Sequence, residues 1–101
     1  AFRGESRERK TIAAYSDTRD RRLRNLTFES FLRVARQTDL ADPETAAKDA
    51  TNGTLALLEG MWTDYLLHPE SFDRQAALRT IFRFLAALFP KHFDLDGAVT
   101  G

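Results

Sequence analysis

LALLEGMWTDYLLHP, Leu55 to Pro69, holds the only Trp (Trp62), the only Met (Met61) and one of the two Tyr (Tyr65) of the chain. Its apolar residues recur at three- and four-residue steps, the signature of a helix. Gly60 stands in the middle, where Ala would be favoured by roughly 1 kcal/mol. Glu59 and Asp64 flank the aromatic residue, and His68-Pro69 ends the run, since a residue before Pro avoids helical geometry. Upstream, Asp42-Pro43-Glu44 is a helix start: a capping carboxylate, Pro at the first helical position, an acid in the first turn. The spacing therefore predicts one helix over about 43–67. Its early half is small (Ala46, Ala47, Ala50, Gly53) and its late half large. Positions 46, 50, 53/54, 57, 58, 61 and 65 form one apolar stripe, and 55, 58, 62 and 66 a second beside it. So wide an apolar arc must meet more than one neighbour.

Downstream, Ser71 or Asp73 caps a helix over about 73–89, with Phe72 placed to staple its start. Leu78, Ile81, Phe82, Leu85, Leu88 and Phe89 keep helical spacing, and Pro90 stops it. Upstream, about 7–37 lacks Pro and Gly, and Ile12, Tyr15, Leu23, Leu26, Phe31 and Val34 recur with drifting phase. The polar run Ser16 to Arg22 interrupts them; Asp17 with Arg21 and Asp20 with Arg24 stand at pairing distance along the helix. One long helix with a solvated middle is expected, a break near Asp17 being the alternative. In the tail from Lys91, Phe93, Leu95 and Val99 could pack; no strand pattern is evident. The expectation is an all-α chain of three main helices forming a single domain over 1–101.

Of the 101 residues 43% are hydrophobic and 30% charged, an ordinary globular balance with zero formal net charge. The charge is uneven: residues 1–24 carry eight basic and four acidic side chains, the remainder seven and eleven. With no Cys there is neither a disulfide framework nor a thiolate metal site, which suits a reducing cytoplasm. No apolar run reaches membrane-spanning length. His68 and His92 lack partners at metal-ligand spacing, and DLDG (Asp94 to Gly97) has no closing Glu for a calcium loop. Glu59 and Asp64 point to different helix faces, and no nucleophile has an adjacent base. No enzyme, metal or cofactor is expected.

Three helices offer too few walls for these apolar faces, so a two-fold homodimer is expected in which the last two helices form a four-helix bundle with their mates. Its interface would hold Ala46, Ala50, Gly53, Leu57 and Gly60, then Leu78, Ile81, Phe82, Leu85, Leu88 and Phe89. Trp62, Tyr65, Met61, Phe28, Phe31 and Tyr15, with a charge from Glu59 or Asp64, could line an apolar ligand pocket. Such aromatics more commonly serve simply as core.

RRLRNL (Arg21 to Leu26), the small-residue helix reaching LALLEGMW (Leu55 to Trp62), and FDRQAALRTIFRFL (Phe72 to Leu85) together resemble the C-terminal domain of TetR-family transcriptional repressors. The similarity is greatest to the choline-responsive, Bet-type branch, with Glu59 where that branch more usually has Asp, and it covers about residues 1–90. The resemblance implies a cytoplasmic, homodimeric regulator whose small-molecule effector relieves repression, and for this branch a quaternary ammonium such as choline. Operator DNA would be met only through an N-terminal helix-turn-helix that this chain does not contain; its start at Ala1-Phe2 reads as a fragment of something longer. The competing expectation is a stand-alone helical adaptor for a partner protein, which an upstream helix-turn-helix in the same reading frame would exclude.

Overall fold

Asp42 opens the central helix as its sequence requires. In the computed structural model, which describes residues 20–99, its carboxylate accepts hydrogen bonds from the Thr45 backbone N–H (3.1 Å) and the Thr45 hydroxyl (2.7 Å), and Pro43 takes the first helical position. Helix α2 then runs Pro43–Leu67 and closes on His68, whose N–H donates to the Asp64 carbonyl before Pro69. Before it, α1 occupies 20–36 of the described residues, one short of the expected end. There Gln37 and Thr38 donate to the Val34 and Ala35 carbonyls and tighten the last turn. The expected helix over 7–19, the polar run's first residues, Ile12 and Tyr15 lie outside the described residues. After α2, Asp73 rather than Ser71 caps α3, Arg74–Leu88, by accepting from the Ala76 N–H at 3.0 Å.

The helices meet through a core of Leu32 and Ala35 from α1, Ala47 and Ala50 from α2, and Ile81, Leu85 and Phe89 from α3 and its C-cap. Phe89 is wholly buried, its ring stacked 6.2 Å from Phe31. Small side chains on the first half of α2 make this possible. They bring the flanking helices in until Phe84 of α3 lies directly over Gly53. A Cβ there would meet the ring, with its Cε2 at 2.6 Å and Cε1 at 2.8 Å.

The small-residue stripe expected at a subunit boundary packs largely within its own chain. Ala50 is buried, and Ala46 and Leu57 pack against the core of their own chain. Gly53 receives its own chain's Phe84. On α3, Ile81, Leu85 and Phe89 are core, and Phe82 and Leu88 lie against it. Of the residues assigned to a subunit boundary, only Gly60 and Leu78 remain exposed. Spacing shows that a helix approaches closely but not which chain owns it.

One correction concerns the tail. Phe93–Asp94 and Gly97–Ala98 form a small antiparallel hairpin, pairing Phe93 with Ala98 and Asp94 with Gly97. DLDG is its turn. Asp94 accepts from the Asp96 N–H at 2.8 Å, and Gly97 takes a φ of 131°, open to glycine alone. Phe93 returns to pack against Phe89, while Leu95 and Val99 stay exposed.

Two outcomes test this account. Gly53→Ala should destabilise the chain by about 1–2 kcal/mol, because displacing the Phe84 ring outweighs the helix-propensity gain. Thermal unfolding should show much of that loss restored in Gly53→Ala with Phe84→Leu. The Asp42 carboxyl is held below its ordinary 3.8 by the Thr45 hydroxyl and backbone hydrogen bonds, with Lys48 adding a smaller attraction. A depressed folded-state value stabilises above 3.8 and is lost as pH falls through it. Asp42→Ala should therefore lower the melting temperature at neutral pH and narrow its difference from the parent below pH 3.8.

Candidate functional site

The aromatic residues singled out in the sequence separate into two groups. Trp62 and Tyr65 are neighbours on α2, their rings stacked 5.8 Å apart, and Phe72 meets Tyr65 edge-on at 5.6 Å. Phe72 precedes the α3 cap, so the staple position that fixes the start of α3 also delivers a third ring. Trp62 is 61% exposed and Tyr65 45%. Phe31 instead stacks on Phe89 in the core. Phe28 packs against the core and borders a separate notch between α1 and α2, with Arg24, Lys48 and Asn52 around it. Tyr15 lies outside the described residues.

Trp62, Tyr65 and Met61 line one groove of about 310 Å³ between the second half of α2 and the first turns of α3, together with Leu58, Phe72, Arg74, Ala77, Leu78 and Ile81. Its volume is at the lower end of ordinary ligand pockets, and its lining is almost wholly apolar, as such pockets are. Glu59 does not border it. The charged residue that does is Arg74, the first residue of α3. Sequence inspection missed Arg74 because nothing in a helix-start Arg shows that its α2 neighbours are aromatic. On the other side of α3's first turns, Asp64, His68 and Asp73 border a more polar cleft of about 370 Å³.

A second exposed strip runs along α2. Ala56, Gly60, Thr63 and Leu67 follow one another at alternating four- and three-residue steps, all exposed. Among the described residues, nothing lies within 4 Å of the place a Gly60 Cβ would take. Unlike Gly53, this glycine faces no neighbour among the described residues. Among the described residues there is no group of three or more His, Cys, Asp or Glu side chains able to hold a metal ion, and no helix long and apolar enough to cross a membrane.

Over residues 1–90 the sequence matches the family of BetI-type transcriptional repressors, C-terminal domain. The chain belongs to that family. That family is one of transcriptional regulators, not a class of enzymes. No curated protein and no solved structure matches the chain.

The aromatic stack has a direct optical test. Tyr65→Ala removes the ring on which both Trp62 and Phe72 rest, so Trp62 emission should move to longer wavelength. Helicity should be retained, with a stability loss below about 2 kcal/mol, because a half-exposed ring contributes little beyond its pair contacts.

Proposed function

We propose that this chain is the effector-binding and dimerisation domain of a TetR-type repressor, in which a small apolar molecule held between α2 and α3 relieves repression. The observation that carries this is that α2 presents two different exposed faces beside its core face. One is the aromatic wall of the groove; the other is the small-residue strip centred on Gly60. A ligand wedged between α2 and α3 pushes on the helix whose opposite strip meets a second copy, so occupancy alters the angle between protomers. Members of this family act as dimers that bind small effectors, which agrees with both faces.

Charge supports the second copy as the occupant of the Gly60 strip. Helix α2 carries Glu44, Asp49, Glu59 and Asp64 against a single Lys48, while α3 carries Arg74, Arg79 and Arg83 and no acid. A two-fold arrangement that sets α2 beside the partner's α3 pairs opposite signs. Gly in a helix interior costs roughly 1 kcal/mol against Ala, and close approach of a second backbone offsets it.

Sedimentation velocity tests this. The chain should sediment as a dimer, and Gly60→Leu should dissociate it while circular dichroism keeps its helical signal. Because a Gly60 Cβ meets nothing among the described residues, the loss is expected between chains. A helical monomer for the parent chain, or a Gly60→Leu dimer of unchanged affinity, refutes the interface.

A further inference from the structure

Away from the groove, two cations carried by different helices border one small notch. We propose that this notch, between α1 and α2, binds a tetrahedral oxyanion of the phosphate class, held between Arg24 and Lys48 and so joining the outer half of α1 to α2.

The notch, of about 200 Å³, is bordered by Arg24, Asn25 and Phe28 from α1 and by Lys48, Thr51 and Asn52 from α2. It is smaller than ordinary ligand pockets, which suits an ion or a headgroup rather than a whole drug-sized molecule. A hydrogen bond places the Arg24 guanidinium there: its Nη1 donates to the side-chain oxygen of Asn52, a residue of the opposite wall. The guanidinium carries further N–H groups in the same plane. Because the Asn52 oxygen accepts from Arg24, its NH2 group is turned the other way as a donor. The chain has two Asn residues, and both border the notch. Lys48 adds a second positive charge from α2. Thr51 is buried and gives its hydroxyl hydrogen to the Ala47 carbonyl, so it shapes the floor without donating to a ligand. Asp42 feels Lys48 only weakly, its hydrogen bonds being made with Thr45.

The charged residues of this lining are thus both basic, and they face each other across two helices. A carboxylate presents its oxygens along one edge. A phosphate carries more than one negative charge and acceptor oxygens in several directions, so it can meet both walls at once. Leu23 and Leu26 of this half of α1 are exposed, which leaves the Arg24 bond to Asn52 as a tie to α2 that a bound oxyanion would double.

The test follows the side-chain amide resonances of Asn25 and Asn52 in the 101-residue chain at neutral pH. Sodium phosphate, phenyl phosphate and sodium acetate are titrated against sodium chloride of matched ionic strength. Phosphate should shift both resonance pairs saturably. Lys48→Gln should weaken it about fivefold, the upper worth of an exposed ion pair. Asn52→Asp keeps an acceptor for Arg24 but adds a negative charge, and should abolish binding while circular dichroism is unchanged. Phenyl phosphate binding more tightly than phosphate assigns the notch to organic phosphates, and equal binding assigns it to the free ion. Shifts that chloride reproduces, acetate bound as tightly as phosphate, or unchanged affinity in Lys48→Gln would each overturn the proposal.

Discussion

Phe84 lying over Gly53 sets the distance between α2 and α3, and most of the structure depends on that distance. With any side chain at position 53 the ring would have to shift, beside the half where Ala47, Ala50, Ile81 and Leu85 form the core. Closeness at this end is what makes the other end open. α3 runs back along α2, so as the α2 residues change from Ala and Gly to Leu58, Met61 and Trp62, the same two helices are held apart by bulk. The groove is the space between a contact set by small residues and one set by large ones.

Much of this was legible because helix ends carry local chemistry. Asp42-Pro43 and His68-Pro69 delimit α2 at the expected residues, and Asp73 and Pro90 bring α3 to within a residue of its expected limits at each end. Capping depends on neighbours three or four positions away, which a sequence displays. Partner choice depends on the third dimension, and there the sequence left alternatives. Phe31 and Trp62 are both aromatic residues on helices, yet one is stacked in the core and the other stands 61% exposed. The run Ala46, Ala50, Gly53 announced a close approach that proved to come from the same chain. The hairpin of 93–98 escaped notice because strands of two residues have no period to detect; its only local sign was a Gly after Asp-Leu-Asp.

The two glycines of α2 separate what one chain explains from what it does not. They lie seven residues apart, close to two helical turns, and so on nearly the same side. Gly53 is filled by Phe84; Gly60, past the end of that contact, faces open space. Beyond the Phe84 contact, the Gly53 flank of α2 thus continues into Gly60, turned away from the groove, where nothing among the described residues covers the backbone. The Phe84 contact and the proposed contact between chains lie along this one flank, so what shifts α2 against α3 alters both.

Helix α1 is held unevenly. Leu32 and Ala35 near its end are buried, while Leu23 and Leu26 are 52% and 63% exposed, and Arg24 reaches across to donate to the Asn52 side-chain oxygen on α2. Because Arg can only donate, that single bond fixes the orientation of the Asn52 amide. Among the described residues, α1 is held by packing near Ala35 and by one polar link farther out. Residues 20–36 span about 24 Å, so a tilt of about 5° about Ala35 carries Asp20 through about 2 Å. A displacement too small to disturb the packed core is thereby magnified at Asp20, and the Arg24 bond to Asn52 resists it.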